Sequence, residues 1–303
     1  MKKFIIGKSD AGKRLDRFME EEAGWPRSLL MKAIRTKKLK VNGKKQEAAY
    51  RTEEGDEIVS YVLERTGESD FSVVYEDDNI LIADKKAGLL CMDSTGKTKR
   101  TLIDGVNAYL AEKREKPEKP EKPAYMVHRI DFHTSGLMVI AKTEESKEIL
   151  DRLIKNRQIH KTYLCVVLGL MEKKSGTLTH YLFKDAKKNK VFLSTVPVKG
   201  AKTAVMSYRV KAEKNGLSLV ECDLLTGRTH QIRSQLASIG HPLLGDDKYG
   251  KKEINRRYRE KGQLLCACRL SFEIKEKSIL SYLDGRSFTV PQVSFRNKYF
   301  SRQ

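Results

Sequence analysis

The residues best suited to chemistry form one short run near the middle of the chain. Residues 128–137 read His-Arg-Ile-Asp-Phe-His-Thr-Ser-Gly-Leu, and an apolar segment continues to residue 141. A turn that contains Ser and Gly and leads into a strand can hold a reactive side chain at a strand end. Asp131 is the one carboxylate in this run, which makes it the candidate catalytic group. An isolated aspartate here would more often cap a turn, so the choice between the two interpretations depends on other segments.

The run resembles the signature His-Arg-Leu-Asp-x-x-Thr-Ser-Gly of the RluA-type pseudouridine synthases, with Ile130 in place of leucine. Two further runs resemble the same family: residues 226–233 read Thr-Gly-Arg-Thr-His-Gln-Ile-Arg, and residues 240–250 read Gly-His-Pro-Leu-Leu-Gly-Asp-Asp-Lys-Tyr-Gly. Residues 85–89, Lys-Lys-Ala-Gly-Leu, resemble the family's Lys-Pro-Ala-Gly-Leu. Lys86 replaces the usual proline, which affects the loop geometry rather than the chemistry. The resemblance spans essentially the whole chain.

The resemblance implies a role for each residue of the site. Asp131 is the carboxylate that either attacks C1′ of the ribose or removes the 2′ proton, and both steps require its ionised form. Arg233 matches the arginine that keeps this carboxylate ionised. Tyr163 matches the tyrosine that stacks on the target base, and Arg129 matches the position that fills the gap when a nucleotide flips out. Further expected RNA contacts are His128, Arg228 and His230.

Isomerising uridine to pseudouridine consumes nothing, so neither a cofactor nor a metal is expected. The sequence has no dinucleotide-binding glycine motif and no P-loop. Its histidines would suit a metal-dependent nuclease only if they were spaced as ligands, and no HxxxH or HxH pair occurs among His128, His133, His230 and His241. Structural or RNA-contacting histidines are therefore the preferred interpretation. The five cysteines are scattered and odd in number, and we expect them to be reduced structural residues.

The composition favours a polyanionic partner. The 303 residues include 60 Lys+Arg and 40 Asp+Glu, a formal net charge of +20. The apolar runs are too short to span a bilayer, and the first residues lack a signal-length apolar core. We therefore expect a cytoplasmic protein that binds RNA and no membrane, and that is a monomer.

Residues 1–63 predict a small basic module. Apolar residues follow helical spacing twice, and Asn42-Gly43 then predicts a hairpin ahead of a strand over 55–62. Charge runs usually form solvated faces, but the run from Gly24 to Gln46 has eight basic and no acidic residues, which suits phosphate binding. Its candidate RNA contacts are Arg27, Lys32, Arg35, Lys37, Lys38 and Lys40. Residues 14–18 (Arg-Leu-Asp-Arg-Phe), with Arg27-Ser28, Ile34-Arg35, Val41-Asn-Gly43 and Gly55-Asp56, resemble an S4 (αL-type) RNA-binding domain.

A polar linker over residues 64–70 is predicted to lead into a catalytic domain over 71–303. Within it, residues 112–123 carry a proline at every third position, which predicts an extended, mobile insertion. The remaining pattern predicts a strand–turn–strand over 73–83, a helix over 143–155, a hairpin at Asn215-Gly216 and a helix over 231–239. Together these indicate an α+β fold with a mixed, mainly antiparallel sheet, and the resemblance implies the pseudouridine synthase fold.

Three functions follow from these observations. The leading one is an RNA pseudouridine synthase that modifies large-subunit (23S) ribosomal RNA, with transfer RNA as the alternative substrate. A non-catalytic S4-type RNA-binding or ribosome-assembly protein is the second. The presence of Asp131, Tyr163 and Arg233 argues against it, because a protein that only binds has no need of them. The metal-dependent nuclease is the third and is disfavoured by the histidine spacing.

Overall fold

A computed structural model describes residues 2–22, 27–35, 37–60, 70–93, 98, 100–113, 123–185 and 190–301. They belong to two compact units, one within residues 1–69 and 93–100 and the other within residues 70–92 and 101–303. The predicted linker lies outside the described residues except for Asp70, and so do residues 114–122 of the predicted insertion.

The first unit contains two helices and a three-stranded antiparallel sheet. Its elements are β1 (Lys2–Ile5), α1 (Leu15–Glu22), α2 (Arg27–Arg35), β2 (Leu39–Val41) and β3 (Glu57–Ser60). The strand order is β1-β3-β2, and the core includes Phe18, Met19, Leu30 and Ile58.

The predicted Asn42-Gly43 turn forms, but the hairpin that it closes is only one residue pair long. Both residues have positive φ, 48° and 74°, as the turn requires. However, β2 pairs with β3, and after the turn there is only an isolated bridge between Val41 and Lys44. The Asn42 side chain favours this pairing because it accepts from Glu57 N–H and donates to Asp56.

The second unit is built on one sheet of eleven strands. Its elements are β4 (Phe71–Glu76), β5 (Ile80–Lys85), α3 (Leu102–Glu112), β6 (Tyr125–Met126), β7 (Ser135–Ala141), α4 (Glu144–Lys155), β8 (Ile159–Leu168), β9 (Ser175–Asp185), β10 (Lys190–Ser194), β11 (Lys202–Lys214), β12 (Leu217–Leu224), α5 (Gln231–Ser238), α6 (Lys252–Tyr258), β13 (Leu265–Phe272), a 3₁₀ turn (Ser281–Leu283), β14 (Ser287–Thr289) and α7 (Ser294–Phe300).

The strand order of this sheet is β10-β9-β11-β12-β8-β13-β7-β5-β4, with β14 paired to β13 and β6 to β7. The β13–β7 pair is parallel. Every other pair formed by the described strands of the sheet is antiparallel. The predicted mixed, mainly antiparallel sheet is thus confirmed.

Locally encoded elements form where the sequence predicts them. Thr143 caps α4 in a reciprocal arrangement with Ser146, and Glu144 and Glu145 occupy its first turn. Asn215 and Gly216, at φ 52° and 73°, connect β11 to β12. Helix α5 ends before Gly240, whose φ is +88°.

Strand β8 lies at the centre of the sheet and is buried on both faces. Tyr163, Cys165 and Val167 pack into one hydrophobic cluster, whereas Leu164, Val166 and Leu168 pack into another on the opposite face. The described cysteines are all free thiols, as expected, and Cys165 is fully buried. Residues 162–168 of β8 therefore have positions fixed by packing on both faces of the sheet.

Gly136 allows β7 to approach β13 closely. Its φ is +110°, and a Cβ placed on it would lie 2.3 Å from the carbonyl oxygen of Ala267. The two residues are partners in the parallel β7–β13 pair. The glycine of the Thr-Ser-Gly run is thus required where the run enters the sheet.

Candidate active site

Three elements of the second unit bring the predicted catalytic residues to one cavity of about 1220 Å³. Asp131 comes from the loop before β7, Tyr163 from β8 and Arg233 from α5. Arg129, Arg228, His128 and His230 line the same cavity.

Asp131 and Arg233 form a direct ion pair. The Arg233 Nη1 atom donates to Asp131 Oδ2 at 2.9 Å. The arginine is 4% exposed, whereas the Asp131 side chain is 25% exposed. The Asp131 carboxylate is therefore held by the buried guanidinium of Arg233 and is also exposed to the cavity. A group that acts on a substrate must be accessible in this way.

Asp246 fixes the orientation of Arg233. Its two carboxylate oxygens accept from Nε at 2.7 Å and from Nη2 at 2.9 Å, so the pair is bidentate. Burial acts to raise the pKa of Asp246, but Arg233 and the backbone N–H groups of Tyr249 and Lys248 hold it below its usual range. Asp247 also accepts from Nη2, at 3.2 Å. With Nε and Nη2 occupied, Nη1 is directed at Asp131.

The sequence predicts no role for Asp246. This residue lies in the Gly-Asp-Asp-Lys-Tyr-Gly run, but nothing in the run indicates which of the two aspartates is buried against Arg233. The structure makes the distinction, because Asp246 is fully buried and the Asp247 side chain is 64% exposed.

His230 begins α5 in a strained conformation. Its φ is 53°, a left-handed value that few residues other than glycine adopt. Its Nδ1 lies 3.0 Å from the Tyr249 hydroxyl and its Nε2 lies 3.9 Å from Asp131 Oδ2. Burial lowers the pKa of His230, although Asp131 acts in the opposite direction. The neutral ring is thus favoured beside the carboxylate.

Helix α5 is held to the sheet by polar side chains. Gln235 donates to the carbonyl oxygens of Leu178 and Ala204, and Gln231 donates to that of Val205. These bonds give the buried amide groups acceptors on the sheet, although Gln235 Oε1 has no hydrogen-bond partner among the described residues. They position the polar helix α5 beside the cavity.

The backbone is held on both sides of Asp131. The Cys91 thiol donates to the Ile130 carbonyl oxygen at 3.2 Å. On the other side, the Phe132 carbonyl oxygen accepts from Gly88 N–H at 2.8 Å and from Lys85 Nζ at 3.3 Å. The loop that carries the carboxylate is therefore restrained from both directions.

Lys85 is a second residue of the site that the sequence does not predict. It is fully buried, and its ammonium group also donates to the carbonyl oxygens of Lys86 and Leu89, at 2.9 and 2.8 Å. Burial lowers its pKa to about 8.

Lys86, which replaces the usual proline, donates its backbone N–H to the Asp70 carbonyl oxygen at 2.9 Å, a bond that proline could not form.

Tyr163 is enclosed by its neighbours on the sheet. It lies between Cys222 of β12 and Ala267 of β13 and is 7% exposed. Burial, followed by the nearby Asp131, raises its pKa well above the usual value. The hydroxyl is therefore protonated at neutral pH.

The other predicted RNA contacts in this unit lie around the same cavity. Arg129 is exposed at the cavity, and Arg228 donates to the Thr203 carbonyl oxygen at 3.0 Å. His128 accepts from Val139 N–H through Nε2, and its buried Nδ1 has no hydrogen-bond partner among the described residues. Burial, and then Lys161, lower the His128 pKa well below its usual value.

The predicted basic residues of the first unit are only partly described. Arg35, Lys37 and Lys38 are exposed and Lys40 is half-buried, whereas the side chains of Arg27 and Lys32 lie outside the described residues. Repulsion from Lys37, with smaller contributions from burial and Lys40, lowers the pKa of Lys45. The lysines thus form a cluster of like charge.

The described residues offer neither a metal site nor a membrane-spanning helix. They contain no group of three or more His, Cys, Asp or Glu side chains suited to a metal ion. Their helices are also too short or too polar to cross a bilayer.

The known proteins that this chain resembles in sequence are RNA pseudouridine synthases. The model of the RNA pseudouridylate synthase family matches residues 79–238. An uncharacterised RNA pseudouridine synthase of Bacillus subtilis (strain 168) is 31% identical over 247 residues, which cover 79% of this chain and 80% of that protein. The ribosomal large subunit pseudouridine synthase C of Escherichia coli (strain K12) is 29% identical over 272 residues, which cover 85% of this chain and 82% of that protein.

A solved structure shares the fold. The structure titled human RNA pseudouridylate synthase domain containing 4 superposes with a TM-score of 0.61 at 18% identity, and the match covers 77% of this chain and 95% of the human chain.

Proposed function

This chain belongs to the RNA pseudouridylate synthase family and is an isomerase that acts on RNA, and we propose that its substrate is a uridine in large-subunit ribosomal RNA. The proposed substrate is supported by the similarity to ribosomal large subunit pseudouridine synthase C over most of both chains. Transfer RNA is the alternative. Pseudouridines mapped in ribosomal and transfer RNA, from cells with and without this gene, decide between them. A modification that disappears from transfer RNA alone would refute the ribosomal assignment.

The proposed mechanism is carried by the Asp131–Arg233 ion pair at the cavity. The reaction breaks the bond from N1 to C1′, turns the uracil and joins C5 to C1′; the C5 proton is lost and N1 is protonated. Asp131 acts on the ribose, either by attack on C1′ or by removal of the 2′ proton. Arg233 donates to Asp131 Oδ2 at 2.9 Å and so holds the carboxylate in place for this step.

Tyr163 and Arg129 complete the proposed site. Tyr163 stacks on the uracil from the central strand β8, where stacking on an aromatic ring contributes about 1–3 kcal/mol per base. Arg129, exposed at the same cavity, takes the place of the flipped nucleotide, because a planar guanidinium can partly replace the lost stacking. His128, Arg228 and His230 are proposed to contact the RNA around them.

The test of this site is Asp131→Asn with Asp247→Asn as its matched control. Both substitutions remove one carboxylate that contacts Arg233. We expect the Asp131 variant to lose tritium release from RNA labelled at C5 of uridine, while it keeps its melting temperature and RNA affinity. The Asp247 variant should remain within a few-fold of wild type. Pseudouridine formation by a folded Asp131→Asn protein would contradict the assignment.

We further propose that the first unit is an S4-type RNA-binding domain that supplies phosphate affinity, that residues 64–70 are a linker, and that residues 71–303 form the catalytic domain. The proposal is supported by the cluster of like charge that lowers the Lys45 pKa. The test replaces Arg35, Lys37, Lys38 and Lys40 with Gln, and exchanges Arg and Lys at the same positions as the control. We expect the Gln variant to bind RNA more weakly with a shallower salt dependence, because fewer phosphates are neutralised. An unchanged salt slope would refute it.

A further inference from the structure

Lys161 lines the cavity of the proposed active site without a partner. It lies on β8 two residues before Tyr163, and side chains at this spacing point to the same face of a sheet. Among the described residues, no carboxylate, carbonyl or hydroxyl group pairs with its ammonium group. Burial lowers its pKa to about 8.

Lys85 has hydrogen-bond acceptors that Lys161 lacks. Both lysines have a pKa lowered by burial to about 8. Lys85 donates to three carbonyl oxygens, so its burial is satisfied within the protein. Lys161 has no such acceptors, and a desolvated cation without a counter-ion is unfavourable unless a ligand provides one.

The substrate brings one kind of anion into this cavity. Uracil and ribose are neutral at neutral pH, whereas every backbone phosphate carries a negative charge. Two residues along a strand span about 7 Å, so a phosphate near Lys161 is compatible with a base against Tyr163 and a ribose at Asp131.

We propose that Lys161 binds the backbone phosphate adjacent to the uridine that enters the cavity. The inference rests on the proposal that Asp131 and Tyr163 receive that uridine. Lys161 is thus a substrate-positioning residue for the reaction, and it restores its own charge balance when RNA binds.

Binding should then be coupled to a proton. The phosphate raises the Lys161 pKa above its value of about 8 in the free protein, so RNA binding takes up a proton once the pH exceeds that value. Affinity should fall about tenfold between pH 7 and pH 9. The charged and titratable groups that line the same cavity are His128, Arg129, Asp131, Lys155, Arg157, His160, Tyr163, Asp223, Arg228, His230, Arg233 and Arg269. Because Lys85 also titrates near pH 8, the reference is the pH profile of Lys161→Gln.

The experiment uses the full-length protein and a stem-loop RNA that contains the uridine found by mapping. Each phosphate flanking this uridine is made natural or replaced with a neutral methylphosphonate. Lys161→Gln is compared with Lys161→Arg, which keeps the charge, and with Lys155→Gln, which removes an exposed lysine of the same cavity. Kd, kcat and KM are measured with each RNA.

We expect one methylphosphonate to weaken wild-type binding about tenfold and to have no further effect on Lys161→Gln, because both changes remove the same contact. Lys161→Arg should bind natural RNA at pH 9 better than wild type does, and Lys155→Gln should retain the wild-type pH profile. Wild-type binding that is insensitive to both methylphosphonates and to pH would overturn the inference whether or not the variants fold.

Two other outcomes would also overturn it. If the losses from Lys161→Gln and from the methylphosphonate add, the two groups do not touch. If Lys161→Gln lowers kcat with unchanged affinity, Lys161 acts on the base instead. In either case an inactive Asp131→Asn protein on the same RNA would leave the proposed function intact, whereas an active one would overturn the site itself.

Discussion

Asp246→Asn tests whether the orientation of Arg233 is set by its buried partner. The substitution keeps the Oδ1 acceptor for the Lys248 and Tyr249 N–H groups. It removes the negative charge and places an amide donor against Nε, where the carboxylate oxygen now lies at 2.7 Å. Arg233 retains Asp131 at 2.9 Å and the exposed Asp247 at 3.2 Å.

The expected loss of stability depends on the two carboxylates that Arg233 retains. Removing one partner of a buried ion pair costs about 3–5 kcal/mol, and the two remaining carboxylates place this case at the lower end, about 3 kcal/mol. For a domain the size of the second unit, that corresponds to a melting temperature lower by about 6–12 °C. A guanidinium displaced by about 1 Å can reduce kcat about a hundredfold.

Thermal melting and tritium release measure the two effects, with Asp247→Asn as the control.

The stabilities of wild type and Asp246→Asn should also depend differently on pH. Because the folded pKa of Asp246 is lowered, its stabilisation is present above the unfolded value and is lost as the pH falls through the folded one. The variant should therefore lose less stability than wild type on acidification below about pH 4. A variant that melts like wild type and turns over within twofold of it would refute this account of Arg233.

Three further predictions concern residues near the site. Lys85→Met removes a donor from three carbonyl oxygens, of which only that of Phe132 keeps another, Gly88 N–H. It should lower the free energy of unfolding by about 3 kcal/mol. Lys161→Met removes an unpaired cation and should leave the free energy of unfolding equal or higher, and equal losses in chemical denaturation would contradict the distinction. Arg129→Ala should reduce turnover of a stem-loop more than that of an unstructured oligonucleotide, because only the former must lose stacking; equal reductions would indicate a general phosphate contact. Gly136→Ala should lower the melting temperature strongly, because a Cβ would lie 2.3 Å from a carbonyl oxygen of β13, and a melting temperature near that of wild type would show that the strands can separate there.

Features with local causes were predictable from the sequence. Thr143 marks the start of α4 within one turn, and Asn215-Gly216 defines a two-residue hairpin by its own backbone preferences. The Asn42-Gly43 hairpin stops after one residue pair because a turn does not determine which strand pairs with β2. Short-range signals specify an element and leave its partner open.

The supporting residues of the site could not be predicted for the same reason. Lys85 reaches the carbonyl oxygen of Phe132 across 47 positions of the chain, and Asp246 reaches Arg233 across 13. Neither separation along the sequence matches the period of a helix or a strand, so no pattern in the sequence indicates the contact. The resemblance to a known family brought Asp131, Tyr163 and Arg233 together, and the structure adds the residues that hold two of them.

The carboxylates around Arg233 give this one cluster a charge opposite to that of the whole chain. Asp131, Asp246 and Asp247 contribute three negative charges against one guanidinium, a formal local charge of −2 in a protein of +20. Basic surfaces attract a nucleic acid from a distance, but close to these carboxylates a phosphate is repelled and a neutral uracil is not. The two ends of a nucleotide should therefore separate inside the cavity, with the uracil and ribose toward Asp131 and the phosphate toward Lys161.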